Sequence, residues 1–212
     1  MMEIISFYNH AKQTVSQRGF LPEAIWQASR FPSEMTESTF LQEAAWVIYC
    51  SGFKEATVRK YFNYLALCFY DWESAARIAS NAEKCISTAL LAFGAKKKHE
   101  AIVEMAKMIE RQGFHYLREE LIDAAEPTYV LQRFPYIGPI TAVHLAKNLG
   151  FELAKPDRHL LRLMQKFGCK DVQAMCEEIS EESGDTVKVV DIVLWRFLEQ
   201  EGATAYGDFL VQ

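Results

Sequence analysis

Apolar residues recur at helical spacing along most of this chain, whereas the alternating pattern of a half-buried strand hardly occurs. One helix face collects Phe40, Ala44, Val47 and Ile48, and its start has Ser38 or Thr39 available as an N-cap. The same period continues through the segments 55–72, 74–81, 84–93, 96–112, 114–124 and 126–134. The sequence therefore predicts an all-α fold.

The composition fits an ordinary folded protein, since 50% of the 212 residues are hydrophobic and 24% are charged. This length allows one large domain or two small ones, each with its own core. The longest apolar stretches are too short to cross a bilayer, and the first residues lack the basic and apolar segments of a secretory signal. We expect a cytoplasmic protein with no membrane partner, associated with the nucleoid if the source is bacterial.

A turn and a helix start follow one another between residues 133 and 150. Pro135 restrains the residue before it, Gly138 permits a positive φ, and Pro139 suits the first turn of a helix that Gly150 ends. The start of such a helix presents unpaired backbone N–H groups, which bind phosphate without any net positive charge. The formal net charge of −5 is therefore compatible with nucleic-acid binding here. The alternative is a packing joint between two helices.

These residues resemble the hairpin of the helix-hairpin-helix DNA glycosylases, the superfamily of the endonuclease III, adenine-mismatch, 8-oxoguanine and alkylated-base enzymes. The hairpin pattern of the family is filled here by Phe134, Pro135, Tyr136, Ile137, Gly138, Pro139, Ile140, Thr141 and Ala142. The family next carries an aspartate, with a histidine two residues later and then an arginine. Asp157, His159 and Arg162 reproduce that order, and Asp157 follows Gly138 by 19 residues. The resemblance covers most of the chain.

The resemblance implies that Asp157 is the catalytic carboxylate, and that residues 135–141 with His159 and Arg162 contact double-stranded DNA. A fixed carboxylate stabilises the positive charge that develops on the sugar when an N-glycosidic bond breaks. Asp157 is equally suited to cap the next helix, and one position can serve both purposes. His159 and Arg162 are otherwise ordinary surface residues. Lys96, Lys97 and Lys98 are either phosphate contacts or a solvated run of charge.

Two departures from the family pattern bear on the chemistry. Tyr136 replaces the first glycine of the hairpin, which changes the turn. Ile140 occupies the place of the nucleophilic lysine of the lyase-active members, and an isoleucine cannot form a Schiff base. We therefore expect a monofunctional glycosylase without lyase activity.

No cofactor is expected beyond a monovalent cation that the resemblance allows at the hairpin. The five cysteines form no paired framework, as is typical of reduced thiols in a cytosol. Cys169 and Cys176 have the first spacing of the family's iron–sulfur cluster, but no later cysteine follows them. Two ligands cannot hold that cluster, so we expect no metal site.

An enzyme that acts on a base in a duplex needs a pocket for the flipped base and a residue that fills the gap. Ser51 and Phe53 fall near the gap-filling position of the family, and Trp46 and Tyr49 are candidates for the pocket wall. Aromatic residues of this kind also serve as core. Val47 stands near the catalytic glutamate of the adenine-mismatch enzymes, although Glu43, one turn earlier, could substitute. The alkylated-base branch is the closer resemblance.

The resemblance implies two all-α lobes with a cleft between them. One lobe is a six-helix domain over residues 32–150, with the helix-hairpin-helix at about 129–150. The other combines residues 1–31 with 151–212 and carries Asp157, and we expect a monomer. The alternatives are a DNA-binding module that kept the hairpin but lost the chemistry, and a helical protein–protein adaptor.

Overall fold

A computed structural model describes residues 2–202 of the 212-residue chain. All regular secondary structure in that range is helical, which confirms the all-α prediction. In chain order the α-helices are α1 (Met2–Gln17), α2 (Leu21–Ala28), α3 (Glu37–Cys50), α4 (Glu55–Cys68), α5 (Ala75–Ser80), α6 (Ala82–Ala92), α7 (Lys96–Gln112), α8 (Phe114–Asp123), α9 (Pro127–Leu131), α10 (Pro139–Asn148), α11 (Arg158–Phe167), α12 (Val172–Ser183) and α13 (Val187–Glu201). A short 3-10 helix covers Pro32–Glu34, and Tyr70–Trp72 form one turn with i to i+3 hydrogen bonds. No helix within residues 2–202 has the length and apolar character of a membrane span.

The chain divides into two compact units. Within the described residues, unit 1 consists of 2–30 and 150–202, and unit 2 is Phe31–Leu149. The corresponding expectation was 1–31 with 151–212 for one domain and 32–150 for the other. Unit 2 is thus inserted in sequence between two parts of unit 1.

The core of unit 1 forms around α13, against which α1, α2, α11 and α12 pack. Phe7 of α1 meets Phe197 of α13 and Phe167 of α11 edge to face, with ring centres 5.5 and 5.7 Å apart. Arg196 donates from Nε and Nη2 to the two carboxylate oxygens of Glu23, at 2.8 and 2.7 Å. This two-point ion pair ties α13 to α2.

Lys188 of α13 is buried in unit 1, at the place where the chain leaves this unit and returns to it. Its Nζ donates to the backbone oxygen of Arg30 at 2.9 Å and to that of Gly150 at 3.0 Å. Glu152 supplies the counter-charge at 2.7 Å. A buried ammonium needs such partners because removing it from water is costly.

In unit 2, α3 contributes the predicted apolar face, and Phe40, Ala44, Val47 and Ile48 are all buried. The helix begins earlier than the sequence suggested. Its N-cap is Thr36, whose hydroxyl accepts from the Thr39 N–H at 3.1 Å, so neither Ser38 nor Thr39 is the cap. A helix starts where its first N–H groups find an acceptor, and Thr36 supplies one.

The helix expected over 55–72 ends at Cys68, which corrects that prediction. Tyr70, Asp71 and Trp72 have φ of 56°, 53° and 61°, so the chain makes a left-handed turn. Each such residue costs about 1–2 kcal/mol. The turn places the buried Trp72 ring in a stack on Phe69, with centres 5.1 Å apart, and the burial of this large ring offsets the strain.

Candidate nucleic-acid interface

The connection between α9 and α10 is a tight turn over residues 134–137 in unit 2. Phe134 and Ile137 are buried on either side of it, and the Ile137 N–H donates to the Phe134 oxygen at 3.2 Å. Pro135 takes the second position of this four-residue turn and Tyr136 the third. Proline second, a positive φ third and a closing hydrogen bond are the features of a type II turn.

The positive φ of this turn falls on Tyr136, at 64°, and not on Gly138 as the sequence suggested. Gly138 has φ −85° and ψ −179°, an extended conformation open to any residue. The third position of a type II turn favours glycine, and the family pattern has a glycine at that position. Tyr136 therefore occupies the left-handed region at a cost of about 1–3 kcal/mol.

Helix α10 begins with backbone donors that face solvent. Gly138 is its N-cap and supplies no side chain, and Pro139 is its first residue. Within residues 2–202, the N–H groups of Gly138, Ile140 and Thr141 have no hydrogen-bond acceptor. Gly138, Pro139 and Ile140 are exposed, and a Cβ added at Gly138 would meet nothing within 4 Å. These donors and the positive end of the helix dipole suit an anion.

Lys98, on α7, lies next to the Tyr136 ring of this turn in unit 2. Its Nζ donates to the backbone oxygens of Ile48 and Ser51, the latter at 2.6 Å, and so satisfies the carboxyl end of α3. The same Nζ lies 5.2 Å from the ring centre of Tyr136 and 5.4 Å from that of Phe53. Lys98 is only 7% exposed, and burial lowers the pKa of its ammonium group.

The burial of Lys98 corrects the interpretation of residues 96–98 as a uniform run of charge. Lys96 and Lys97 are exposed as expected, whereas Lys98 continues the buried face of α7. The signal was present in the sequence, because Lys98 precedes Ala101, Ile102 and Met105 at helical spacing.

The α3–α4 loop holds two of the candidates for the gap-filling position. Ser51 and Phe53 are both exposed, and the Phe53 ring packs against Phe93 at 5.1 Å between centres. Trp46, proposed for a pocket wall, is half-buried and meets the Phe62 ring edge to face at 5.0 Å. Ser51 and Phe53 are therefore accessible to a ligand, and Trp46 is partly so.

Tyr49 is core, which corrects its assignment to a pocket wall. It is fully buried, and its hydroxyl lies 2.7 Å from Nδ1 of His99. Nε2 of His99 is 2.7 Å from the backbone oxygen of Phe93. A carbonyl only accepts, so Nε2 carries the hydrogen, and Nδ1 accepts from the Tyr49 hydroxyl. Burial lowers the pKa of His99 and raises that of Tyr49, which favours the neutral form of both groups.

Asp157 is the N-cap of α11 in unit 1, as one of the two sequence interpretations proposed. Its Oδ1 accepts from the N–H groups of His159 and Leu160, at 2.8 and 3.1 Å. No hydrogen bond from residues 2–202 reaches Oδ2. The cap fixes the half-buried carboxylate and leaves one oxygen for another partner.

His159 and Arg162 lie on the first turns of α11. His159 is half-buried, and its Nε2 accepts from Nε of Arg158 at 3.2 Å. Arg162 is exposed. Their chemistry allows contact with a phosphate, and so does that of any accessible basic side chain.

The two cysteines with cluster-like spacing lie in unit 1, where Cys176 is buried and Cys169 half-buried. Both belong to the apolar core or pack against it. Within residues 2–202, no three His, Cys, Asp or Glu side chains gather as a metal site would need.

Comparison with known proteins finds no match for this chain. No protein-family model matches the chain, no curated protein matches it, and no solved structure matches it.

Proposed function

We propose that this protein is a monofunctional DNA glycosylase, which hydrolyses the bond between a damaged or mispaired base and its sugar after the nucleotide has left the duplex. The observation that carries the proposal is the state of Asp157. Its Oδ1 is fixed by two backbone N–H groups, and its Oδ2 accepts nothing from residues 2–202. The order of motifs resembles that of the helix-hairpin-helix glycosylases, in which an aspartate at this spacing follows the hairpin.

The chemical role of Asp157 follows from the charge that the reaction creates. When the base departs with the bonding electrons, the sugar acquires oxocarbenium character, which a nearby carboxylate stabilises. The same carboxylate can accept the proton of the attacking water. The cap orients the Asp157 carboxylate through Oδ1 before the reaction begins, so no further entropy is lost in orienting it during the reaction.

The start of α10 supports the DNA-binding part of the proposal. The N–H groups of Gly138, Ile140 and Thr141 offer three donors to a backbone phosphate, as a helix-hairpin-helix does. Binding of a phosphate through these N–H groups does not depend on the base sequence. It also requires no basic surface, which agrees with the formal net charge of −5.

The side chain of Ile140 supports a glycosylase that stops after base removal. It is 48% exposed at the start of α10, where the lyase-active members of the family place an amine. An alkyl group cannot attack the sugar aldehyde, so strand cleavage through this position is not expected.

The surroundings of Glu43 favour an alkylated base over an adenine mismatch as substrate. Glu43 is buried in unit 2 and accepts from the side-chain amide of Asn148 at 2.9 Å. A carboxyl group packed in this way is poorly placed to protonate a base. Alkylated bases carry positive charge and leave without strong acid assistance, so the site needs no strong acid to remove them.

The deciding experiment is a screen of duplex oligonucleotides that each carry one lesion, incubated with the full chain and then treated with alkali. We expect alkali-labile sites on at least one alkylated base. Activity on no lesion, with DNA binding retained, would instead indicate a DNA-binding module in which Asp157 serves only as a cap.

A further inference from the structure

The segment 151–157, which leads into α11 in unit 1 and carries Asp157, belongs to no helix. Irregular backbone is fixed only where its polar groups find partners. Each N–H group of residues 153–157 has an acceptor, and Pro156, in the same stretch, has no N–H group. The position of Asp157 therefore depends on the groups that supply these acceptors.

Asp191, on α13, supplies the acceptor closest to Asp157 from outside the segment. Its Oδ1 accepts from the Lys155 N–H at 2.6 Å, and the residue is only 1% exposed. A hydrogen bond to a charged acceptor is about twice as strong as one between neutral groups, so a carboxylate holds this N–H firmly. Because the core of unit 1 forms around α13, the acceptor is part of the most rigid element that the segment could bind.

Gln173, on α12, holds the residue before Lys155. Its Oε1 accepts from the N–H of the buried Ala154 at 2.8 Å, and its Nε2 donates to the backbone oxygen of Glu152 at 3.1 Å. Two successive N–H groups of the segment are thus bound by side chains of two different helices. This arrangement fixes both the place and the direction of the chain as it enters Pro156.

The restraint reaches Asp157 over a short path. The backbone oxygen of Lys155 accepts from the Asp157 N–H at 2.7 Å, across Pro156, whose ring fixes its own φ. Asp191 therefore holds Lys155 through its N–H, and Lys155 holds Asp157 through its oxygen. A shift of the Lys155 backbone would move the Asp157 carboxylate with it.

We propose that Asp191 and Gln173 are positioning residues for Asp157, which act by fixing the backbone two and three residues before it. The inference rests on the proposed function, in which Asp157 is the catalytic carboxylate. A misplacement of about 1 Å in a group at the reaction centre can lower the rate by roughly 10². Loss of either acceptor should therefore slow the chemical step without weakening the binding of DNA.

The first measurement needs no DNA. Amide hydrogen exchange of the full chain, followed by NMR, reports whether the N–H groups of His159 and Leu160 keep Oδ1 of Asp157 as their acceptor. Asp191→Ala should speed the exchange of both groups. Asp191→Asn still offers an oxygen to Lys155 and should restore most of the protection. Unchanged exchange in Asp191→Ala would overturn the positioning role.

The second measurement separates the chemical step from binding. Single-turnover excision at saturating enzyme, on a lesion found by the screen, gives the rate, and fluorescence anisotropy gives the Kd of the same duplex. Asp191→Ala should lower the rate by roughly 10- to 100-fold and leave the Kd within about twofold of wild type. Asp191→Asn should recover most of the rate. A rate for Asp191→Ala within about threefold of wild type would contradict the inference.

Asp185→Ala is the matched control for a general loss of stability. Asp185 is another carboxylate of unit 1, and it accepts from the Tyr8 hydroxyl at 2.6 Å and from Nζ of Lys12, both on α1. Its replacement removes the same atoms without removing an acceptor of the segment 151–157. The exchange and the excision rate should both match wild type. Losses as large as those of Asp191→Ala would show that lowered stability is the cause and would overturn the inference.

A second pair of variants keeps the test decisive if Asp191→Ala does not fold. Gln173→Ala removes the acceptor of the Ala154 N–H and should give the same faster exchange and slower excision, whereas Gln173→Glu keeps an oxygen there and should give neither. If wild type excises no base from any lesion, the proposed function fails. The exchange measurement then decides alone whether Asp191 positions Asp157.

Discussion

Asn148, the last residue of α10, donates through Nδ2 to Oε2 of Glu43 on α3, and both side chains are buried. The bond joins the helix that follows the α9–α10 turn to α3 in unit 2. The Glu43 carboxylate therefore has a structural role, because a buried hydrogen-bond acceptor without a donor lowers the stability of the fold.

The first prediction concerns this pair. Glu43→Ala should lower the free energy of unfolding by about 1–3 kcal/mol, since it leaves the Asn148 amide without its acceptor. Glu43→Gln keeps an oxygen for Asn148 and should lower it less. Urea unfolding followed by circular dichroism gives both values. Loss of base excision by a fully stable Glu43→Gln would show that this residue takes part in the chemistry.

The second prediction concerns the donors at the start of α10. Gly138→Glu places a negative charge beside them and should weaken binding to any duplex by similar factors. The variant should fold, because Gly138 is extended and a Cβ there meets nothing within 4 Å. Gly138→Gln is the control for size without charge. Binding isotherms at a fixed salt concentration measure the effect, and unchanged affinity of Gly138→Glu would remove the hairpin from DNA recognition.

The third prediction concerns strand cleavage. Because Ile140 has no amine, borohydride should trap no covalent adduct between protein and damaged DNA, and cleavage should need added alkali. Ile140→Lys supplies an amine at the same place and is the matched positive control. Gel electrophoresis of the trapped reactions separates the two cases. Efficient trapping by wild type would show that another lysine attacks the sugar.

The fourth prediction concerns Asp157. Asp157→Asn should keep the fold, since an asparagine oxygen also caps a helix, yet lose roughly 10² in excision rate. DNA affinity should be retained or increased, because a negative charge near phosphates has been removed. Single-turnover excision at saturating enzyme, on a lesion found by the screen, measures the rate. A variant within about threefold of wild type would make Asp157 a structural cap only.

The fifth prediction concerns the buried pair of Tyr49 and His99. Burial lowers the pKa of His99 in the folded protein, so the unfolded chain binds its proton first as the pH falls. The contribution of His99 to stability is therefore complete above about pH 6.5 and declines below it, by at most about 1.4 kcal/mol per pH unit. His99→Gln should flatten this part of the profile. Urea unfolding midpoints of wild type and His99→Gln, measured above and below about pH 6.5, give the two profiles. Equal losses of stability by the two proteins at the lower pH would contradict the assignment.

Local chemistry made some features of this chain predictable. Asp157 caps α11 and Pro139 begins α10 because each needs only its own few neighbours to do so. The apolar face of α3 was likewise visible as a period of residues such as Phe40 and Ala44. These features depend on a stretch of sequence no longer than one helix.

Other features depend on partners that lie far along the chain. The helical period places Lys98 on the buried face of α7, but nothing near Lys98 in sequence reveals the oxygens of Ile48 and Ser51 that its ammonium group binds. Tyr136 takes a positive φ because the buried Phe134 and Ile137 fix the turn on both sides of it. In both cases a tertiary contact overrides what the residue type favours.

The two hydrogen bonds of Lys188 have a consequence for how such a chain can change. The backbone oxygens of Arg30 and Gly150 are both within 3.0 Å of one atom, so the exit and re-entry points of unit 1 are neighbours. A short peptide could join them without disturbing the helices on either side, as is common where one domain has been inserted into another. Evolution could therefore exchange, lengthen or delete residues 31–149 as one block, and the two parts of unit 1 would still be joined in one chain.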